Sequence, residues 1–210
     1  MPRVITVIDD FLPDPDAVRA LALSQEFGPS DYHKGLRSAA RFHHMVDPQV
    51  MEDALGLQVD DWDRHGMNGR FQICTPLDPI VYHADLQTHA ATLYLTPNAP
   101  VEAGLSLYRS KITGARRAPL NPTLASATFD NNLLDPSKWE LVDKIGNVYN
   151  RLVIWDGALI HAASSYFGHH PTNARLFWMF FFDMKRFAAP EPEPEPTAAP
   201  ALVKAKRKKA

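Results

Sequence analysis

His83, Ala84 and Asp85 place an imidazole and a carboxylate two residues apart in the chain. Side chains at positions i and i+2 of an extended strand project to the same side, so one metal ion can take both. The pair alone is weak evidence, because nine histidines and 24 acidic residues in 210 give about one such match by chance (9 × 24/210). A solvent-exposed pair at the end of a strand is the alternative interpretation.

A second histidine strengthens the metal-site interpretation. His161 follows an apolar strand and the Asp156-Gly157 turn, in an otherwise uncharged segment. A histidine in that position either packs in the core or binds a ligand. Two imidazoles and one carboxylate leave further coordination positions open, which is typical of non-haem iron(II) sites that activate oxygen. We therefore take His83, Asp85 and His161 as candidate iron ligands.

Arg175 opens the segment RLFWMFFFD, which is otherwise almost wholly apolar. An unpaired charge is costly to bury, so an arginine entering such a strand needs an anionic partner. The planar guanidinium fits a carboxylate. Alternatively, Arg175 reaches solvent at the strand end or pairs with Asp156 or Asp183.

Helical patterns come first in the chain and short strands dominate afterwards. A helix is predicted from Pro15, with Asp14 as N-cap and Gly28 as its end, and a second at 48–57, with a loop at 29–41. A polar insert, 110–149, is expected to carry a short helix around Pro136–Lys144 and to lie over the site as a lid or a substrate-selecting segment. The predicted strands are 3–8, 69–75, 79–83, 89–95, 104–109, 151–156, 158–163 and 175–183. This order favours an antiparallel sandwich or barrel with flanking helices.

In that order and context, His83-x-Asp85, His161 and Arg175 resemble the iron(II)- and 2-oxoglutarate-dependent oxygenase superfamily, in particular its prolyl-hydroxylase-like members. The resemblance covers most of 3–185. The supporting segments are VIDDFLPDPDAVRALAL (7–23), THAATLYLTP (88–97), EAGLSLYRS (102–110) and NRLVIWDGALIHAASSYFG (150–168).

The resemblance implies a mainly β domain with flanking helices, built as a double-stranded β-helix (a jelly-roll or cupin-like barrel). It also implies that His83, Asp85 and His161 hold Fe(II) and that Arg175 binds the distal carboxylate of the co-substrate 2-oxoglutarate. Tyr94, or alternatively Thr92, is a second candidate contact to that carboxylate. With O2 the family decarboxylates 2-oxoglutarate and hydroxylates a substrate, here expected to be a small molecule or an amino-acid side chain. Relatives that halogenate lack the carboxylate ligand, so Asp85 favours hydroxylation.

Two other classes of function remain open. One is a catalytically silent β-barrel that binds a ligand, and the other is a cupin-type metalloenzyme that does not use 2-oxoglutarate. Cupins typically carry a Gly-His-x-His pattern, which the chain lacks. The remaining histidines, His43-His44, His89 and His169-His170, are not interpreted as metal ligands. Arg37, Asn68 and Gln72 either face the site and contact substrate or are solvated polar side chains, and the solvated interpretation is preferred.

Composition and charge predict one domain, 1–187, followed by a tail, 188–210. The tail has a PEPEPEP spacer and a basic end, with five basic and three acidic residues. The tail therefore carries a net charge of +2. Because the whole chain carries −2, the domain at 1–187 carries −4, and this acidic balance argues against a nucleic-acid partner. Cys74 is the sole cysteine, no signal peptide is visible and no apolar run is long enough to cross a bilayer. A cytoplasmic location is therefore expected.

Overall fold

The computed structural model describes residues 4–30 and 33–185. The predicted domain boundary and tail lie outside these residues. The described helices are α1 (Pro15–Leu23), α2 (Gln49–Leu55) and α3 (Pro122–Phe129). The described strands are β1 (Ile5–Ile8), β2 (Phe27–Ser30), β3 (His33–Ser38), β4 (Phe71–Cys74), β5 (His89–Tyr94), β6 (Leu105–Ser110), β7 (Trp139–Ile145), β8 (Leu152–Asp156), β9 (His161–Ala163) and β10 (Arg175–Phe182).

The strands form two antiparallel sheets. The larger sheet has the order β1-β8-β5-β10-β4-β3-β2, and the smaller has the order β7-β6-β9. The inner faces of the two sheets pack together, with Leu105 and Leu107 of β6 against Phe177 and Met179 of β10. Two facing sheets of this kind leave room for a ligand site between them.

Strand β10 shows how the larger sheet divides its two faces. Because strand side chains alternate, Leu176, Trp178 and Phe180 lie on one face, in the core that α1 and α2 cover. Phe177 and Met179 lie on the other face, towards the smaller sheet. This uninterrupted apolar strand is therefore buried on both sides, and only one side belongs to the main core.

Helix α1 begins where the sequence predicts. The Asp14 side chain accepts a hydrogen bond from the Ala17 N–H (3.0 Å), and Pro15 occupies the first helical turn. The helix ends at Leu23 and does not continue to Gly28. Residues Phe27–Ser30 instead form strand β2.

The loop predicted at 29–41 was wrong, because this segment contains most of the β2–β3 hairpin. Gly35 has φ +85°, and a Cβ there would lie 2.6 Å from the Cys74 sulfur and the Ile73 carbonyl oxygen. Glycine thus lets β3 lie against β4, with Leu36 opposite Ile73 and Arg37 opposite Gln72. Pairing with a distant strand, rather than local pattern, makes this segment extended.

The insert 110–149 also differs from expectation. Residues Pro136–Lys138 form a single 3-10 turn and Trp139–Ile145 form β7, so the predicted helix there was wrong. Strand β7 pairs along β6, and this cross-strand pairing decides its conformation. Phe129 and Trp139 pack in one cluster with Tyr82 and Ile160. No residue of 110–149 lines the cavity described below.

Candidate active site

The segment around His83 lies against the edge of β9 without forming a regular strand. The predicted strand 79–83 reduces to one bridge between His83 and His161. The His83 N–H donates to the His161 carbonyl (3.0 Å), and the His161 N–H donates to the His83 carbonyl (2.8 Å). Two residues on, the Asp85 N–H donates to the Gly157 carbonyl (2.7 Å). The extended pairing keeps His83 and Asp85 on one side, as their spacing predicts.

The three candidate ligand side chains meet between the sheets. His83 Nε2 lies 3.6 Å from Asp85 Oδ1, and His161 Nε2 lies 3.4 Å from Asp85 Oδ2. One potential ligand atom from each residue lies within 4.8 Å of the others. Among the described residues, this is the one group of histidine, cysteine and acidic side chains close enough to hold a metal ion. Two imidazoles and one carboxylate suit non-haem iron(II).

Backbone carbonyls orient both imidazole rings. His83 Nδ1 lies 3.0 Å from the Val81 carbonyl oxygen, and His161 Nδ1 lies 2.9 Å from the Leu159 carbonyl oxygen. A carbonyl only accepts, so each Nδ1 carries the hydrogen and each Nε2 keeps its lone pair for a ligand. This arrangement is typical of metal-binding histidines, whose second nitrogen is fixed by an outer hydrogen bond.

The two histidines have different proton affinities. Burial lowers the pKa of His161 to about 4, so this ring is neutral at pH 7 and suited to bind a metal. Burial acts in the same direction on His83, but hydrogen bonding and attraction to Asp85 outweigh it and raise the pKa of His83. A cation bound between these groups replaces a proton that His83 and Asp85 attract.

Gly157 sets the distance between the two ligand-bearing segments. Its N–H donates to the Thr88 carbonyl (2.9 Å), and its own carbonyl accepts from Asp85. A Cβ at this position would lie 2.1 Å from the Gln87 carbonyl oxygen and 3.3 Å from the Asp85 Cβ. The Asp-Gly turn before β9 therefore permits the close approach that brings Asp85 to His161.

The three candidate ligands line a cavity of about 100 Å³ that opens to solvent. Apolar side chains such as Phe177, Met179 and Phe181 form much of the wall. Phe177 and Phe181 of the apolar segment 175–183 therefore face this cavity.

Arg175 lies in the wall of the same cavity and is only 3% exposed. Its Nε donates to the Ala103 carbonyl (3.1 Å), its Nη2 donates to the Gly104 carbonyl (3.3 Å), and its guanidinium carbon lies 4.3 Å from the Phe177 ring centroid. Asp156 pairs instead with Arg117, and Asp183 pairs with Arg64 and His65. Neither pairing considered for Arg175 from the sequence is present, and no described acidic residue forms an ion pair with it.

Tyr94 and Thr92 are both buried, on the strand next to Arg175. Thr92 lines the cavity, and the Tyr94 ring centroid lies 5.4 Å from the Arg175 guanidinium carbon. The hydroxyls of Thr92 and Tyr94 have no hydrogen-bond partner among the described residues. Burial raises the pKa of Tyr94, so its hydroxyl keeps its proton and can donate to a ligand. Buried hydroxyls without partners are uncommon and indicate a ligand site.

Sequence reasoning missed several cavity residues. Tyr166 lies over Arg175, with its ring centroid 5.8 Å from the guanidinium carbon, and Trp155 packs its ring 5.0 Å from that of His161. Both line the cavity. Arg37 and Gln72, for which a place at the site and a solvated position were both considered, are buried there too. No local pattern marks Tyr166 and Trp155 as cavity residues.

The remaining candidates lie elsewhere and are held by structural contacts. Asn68 donates to the Trp62 carbonyl (2.6 Å) and accepts from the Phe181 N–H (3.1 Å). His43 bonds to Asp63, and His89 stacks on Phe182. The 169–170 pair lies in an exposed turn, where both backbone N–H groups donate to Asn173. None of them joins the metal-ligand group.

Comparisons with known proteins find similarity in three dimensions. No family model matches the chain, and no curated protein matches it. HygX from Streptomyces hygroscopicus, in a crystal structure with nickel, 2-oxoglutarate and hygromycin B bound, is 13% identical. The match covers 86% of this chain and 82% of that one, with a TM-score of 0.59. HygX with iron bound matches over the same shares at 12% identity and a TM-score of 0.52.

A prolyl-4-hydroxylase from Pseudomonas putida is 16% identical over 87% of this chain and 94% of that one, with a TM-score of 0.47. In the part of the chain that the structure describes, no helix is both long and apolar enough to span a membrane. The mainly antiparallel architecture and the match to HygX confirm the fold class: the chain has a double-stranded β-helix fold, shared with a protein that binds iron and 2-oxoglutarate.

Proposed function

We propose that the protein is an iron(II)- and 2-oxoglutarate-dependent oxygenase that hydroxylates its substrate. The observation that carries this proposal is one cavity with His83, Asp85 and His161 in its wall and the buried Arg175 beside them. A binding module has no need for a metal-ligand group and a buried guanidinium in the same cavity. The similarity to HygX, whose crystal structures hold iron, or nickel with 2-oxoglutarate, supports the same function.

Each residue has a defined role in this proposal. His83, Asp85 and His161 hold Fe(II), and their outer hydrogen bonds keep both Nε2 atoms directed at the ion. Bound iron supplies the activation of O2 that couples conversion of 2-oxoglutarate to succinate and carbon dioxide with oxidation of a substrate C–H bond. A carboxylate ligand is present in Asp85, which favours hydroxylation over halogenation.

Arg175 binds the distal carboxylate of 2-oxoglutarate in this proposal. Its Nε and Nη2 are fixed by two backbone carbonyls, and the guanidinium borders the cavity. A fixed cation of this kind holds a carboxylate with little loss of side-chain entropy. The Tyr94 hydroxyl is the second contact to that carboxylate, and Thr92 is the alternative because it also lacks a partner.

The substrate we propose is a small molecule or an amino-acid side chain. The cavity wall combines apolar side chains with a few polar ones, which is typical of small-molecule sites. HygX is similar in fold and holds a small molecule, hygromycin B. We also propose a cytoplasmic location, since the sole cysteine, Cys74, is buried and reduced.

Anaerobic titration tests the proposal directly. Fe(II) and then 2-oxoglutarate are added to the metal-free protein, and the visible charge-transfer band of the chelated co-substrate is recorded. We expect the band in the unmodified protein and no band in His83→Ala. In Arg175→Met the band should need a 2-oxoglutarate concentration at least about 30-fold higher. Arg109→Met is the matched control, because Arg109 pairs with Glu140 away from the cavity.

The other outcomes separate the competing functions. Iron binding with no response to 2-oxoglutarate contradicts the proposal and favours a cupin-type metalloenzyme. Failure to bind either ligand favours a catalytically silent barrel. An unchanged 2-oxoglutarate response in Arg175→Met removes only the role given to Arg175.

A further inference from the structure

The cavity contains a second buried guanidinium, which the proposed function does not use. Arg37 of β3 is 5% exposed and lines the cavity. Its Nε donates to the Gln72 side-chain oxygen (2.8 Å), while its buried Nη1 has no hydrogen-bond partner among the described residues. A buried N–H of a charged group without an acceptor costs free energy, which a bound anion recovers.

The sheet fixes Arg37 in this position. Arg37 lies opposite Gln72 in the β3–β4 register, and Gln72 lies opposite Phe177 of β10. The close approach at Gly35 holds β3 against β4. No described acidic residue forms an ion pair with Arg37. Among the described residues of the cavity wall, the one acidic side chain is Asp85, which the proposed function assigns to the metal.

Arg37 remains a cation at neutral pH. Burial lowers its pKa to about 10, and this value is still about three units above pH 7. The cavity therefore has a permanent positive charge at this point.

The charges around the cavity do not balance with the co-substrate alone. Its lining has one carboxylate, Asp85, and two guanidinium groups, Arg37 and Arg175. With a divalent metal ion, these groups give three positive charges. The dianion of 2-oxoglutarate neutralises two and leaves one, and an unbalanced charge in a desolvated site is unfavourable.

We propose that Arg37 binds the carboxylate of the substrate, so that the enzyme acts on small monocarboxylic acids. This inference rests on the proposed function and names the substrate class of the same site. A monoanion neutralises the remaining charge, and the guanidinium fork with its unpaired Nη1 matches a carboxylate. A phosphate monoester carries up to two negative charges at pH 7 and exceeds the balance. A zwitterionic amino acid brings a cation and leaves the balance unchanged.

The test uses the anaerobic protein loaded with Fe(II) and 2-oxoglutarate. The probes are butanoate, phenylacetate and N-acetyl-amino acids, each beside its own primary amide, with phosphate monoesters and free amino acids as further arms. Binding is followed by perturbation of the charge-transfer band. We expect at least one monocarboxylate to bind about tenfold more tightly than its amide. The same acid should also bind more tightly than the phosphate monoesters and the free amino acids.

Variants assign the preference to Arg37. Arg37→Gln is expected to weaken binding of that acid about 30-fold or more, with the dissociation constant of 2-oxoglutarate changed less than twofold. Arg37→Lys keeps the charge without the planar fork, so its affinity for the acid should lie between those of the unmodified protein and Arg37→Gln. Gln72→Leu removes the partner of Nε and should give a smaller loss. Arg109→Gln is the exposed control, and thermal unfolding confirms that each variant is folded.

Two results overturn the inference while leaving the proposed function intact. One is a normal band in the unmodified protein with no preference for acids over amides. The other is an Arg37→Gln variant that binds 2-oxoglutarate as much more weakly as it binds the acid, because Arg37 would then be part of the co-substrate site. Absence of the band in the unmodified protein overturns the proposed function and this inference together.

Discussion

Around β10, the two faces of the seven-stranded sheet differ in what their buried polar groups contact. On the face that the helices cover, the Trp178 indole N–H donates to the Gly69 carbonyl (2.9 Å), and its neighbours Leu176 and Phe180 are apolar. On the cavity face, Arg37 Nη1 and the Thr92 hydroxyl are buried without hydrogen-bond partners among the described residues. The same strands thus build a packed core on one side and a binding site on the other.

Within a single strand, one set of side chains contributes to stability and the alternate set to ligand binding. Buried apolar contacts stabilise the fold. Buried polar groups without partners destabilise it, and a bound ligand that pairs with them restores that stability. Alternating residues of β10 contribute to each face, so neighbouring substitutions should affect different properties.

The largest expected effect comes from Trp178→Ala. Trp178 is fully buried in the helix-covered core, and its loss should lower the free energy of unfolding by about 3–5 kcal/mol. Phe177→Ala on the cavity face should cost less, because its ring already borders open space. Urea denaturation of both variants measures the difference. Equal losses would contradict the assignment of the two faces.

Gly157→Ala tests how the cavity face is held to the segment 83–88. The added Cβ overlaps the Gln87 carbonyl and must move Asp85 relative to His161. We expect Fe(II) affinity to fall about 10–100-fold, as for other changes that displace metal ligands indirectly, with the fold retained. Gly66→Ala is the control, since a Cβ there meets nothing within 4 Å. Isothermal titration with Fe(II) under nitrogen measures both variants, and unchanged affinity in Gly157→Ala would show that the turn does not position Asp85.

Asp183→Asn tests the other anchor of that segment. Asp183 accepts from the Thr88 N–H (2.8 Å) and contacts His65 (2.9 Å), and despite the opposing effect of burial these contacts lower its pKa. A lowered pKa stabilises the folded state at pH values above about 3.9, and this contribution is lost as the pH falls through the folded value. We expect Asp183→Asn to cost about 1–2 kcal/mol at pH 7 and progressively less as the pH falls below about 3.9. Unfolding over this pH range measures the cost, and a loss independent of pH would exclude the ionised carboxylate as the cause.

The smallest effect is expected on the helix-covered side. Asp14→Ala removes the N-cap of α1 and should lower the free energy of unfolding by about 1 kcal/mol. Fe(II) and 2-oxoglutarate binding should not change, because α1 contributes no cavity residue. A change in either binding constant would mean that the two faces are coupled through the sheet.

Local sequence predicted the site well where a single segment carries the whole pattern. The spacing of His83 and Asp85, the Asp156-Gly157 turn and the apolar segment at 175–182 predict the elements that meet at the cavity. It failed for β3 and β7, whose extended conformation depends on pairing with β4 and β6. For the same reason the sequence did not decide between a solvated Arg37 and one at the site, since its partner Gln72 lies 35 residues away. The ligand roles of His83, Asp85 and His161 stay predictions that the metal titration addresses.

The reciprocal backbone hydrogen bonds between His83 and His161 have a consequence for metal exchange. These residues are separated by 78 positions, and closing such a loop normally has an entropic cost. Here backbone hydrogen bonds join the two segments, in addition to any bonds to an ion. We therefore expect that a chelator removes the ion, and added Fe(II) restores it, without unfolding of the protein. Small domains that fold only around their metal would unfold in the same experiment.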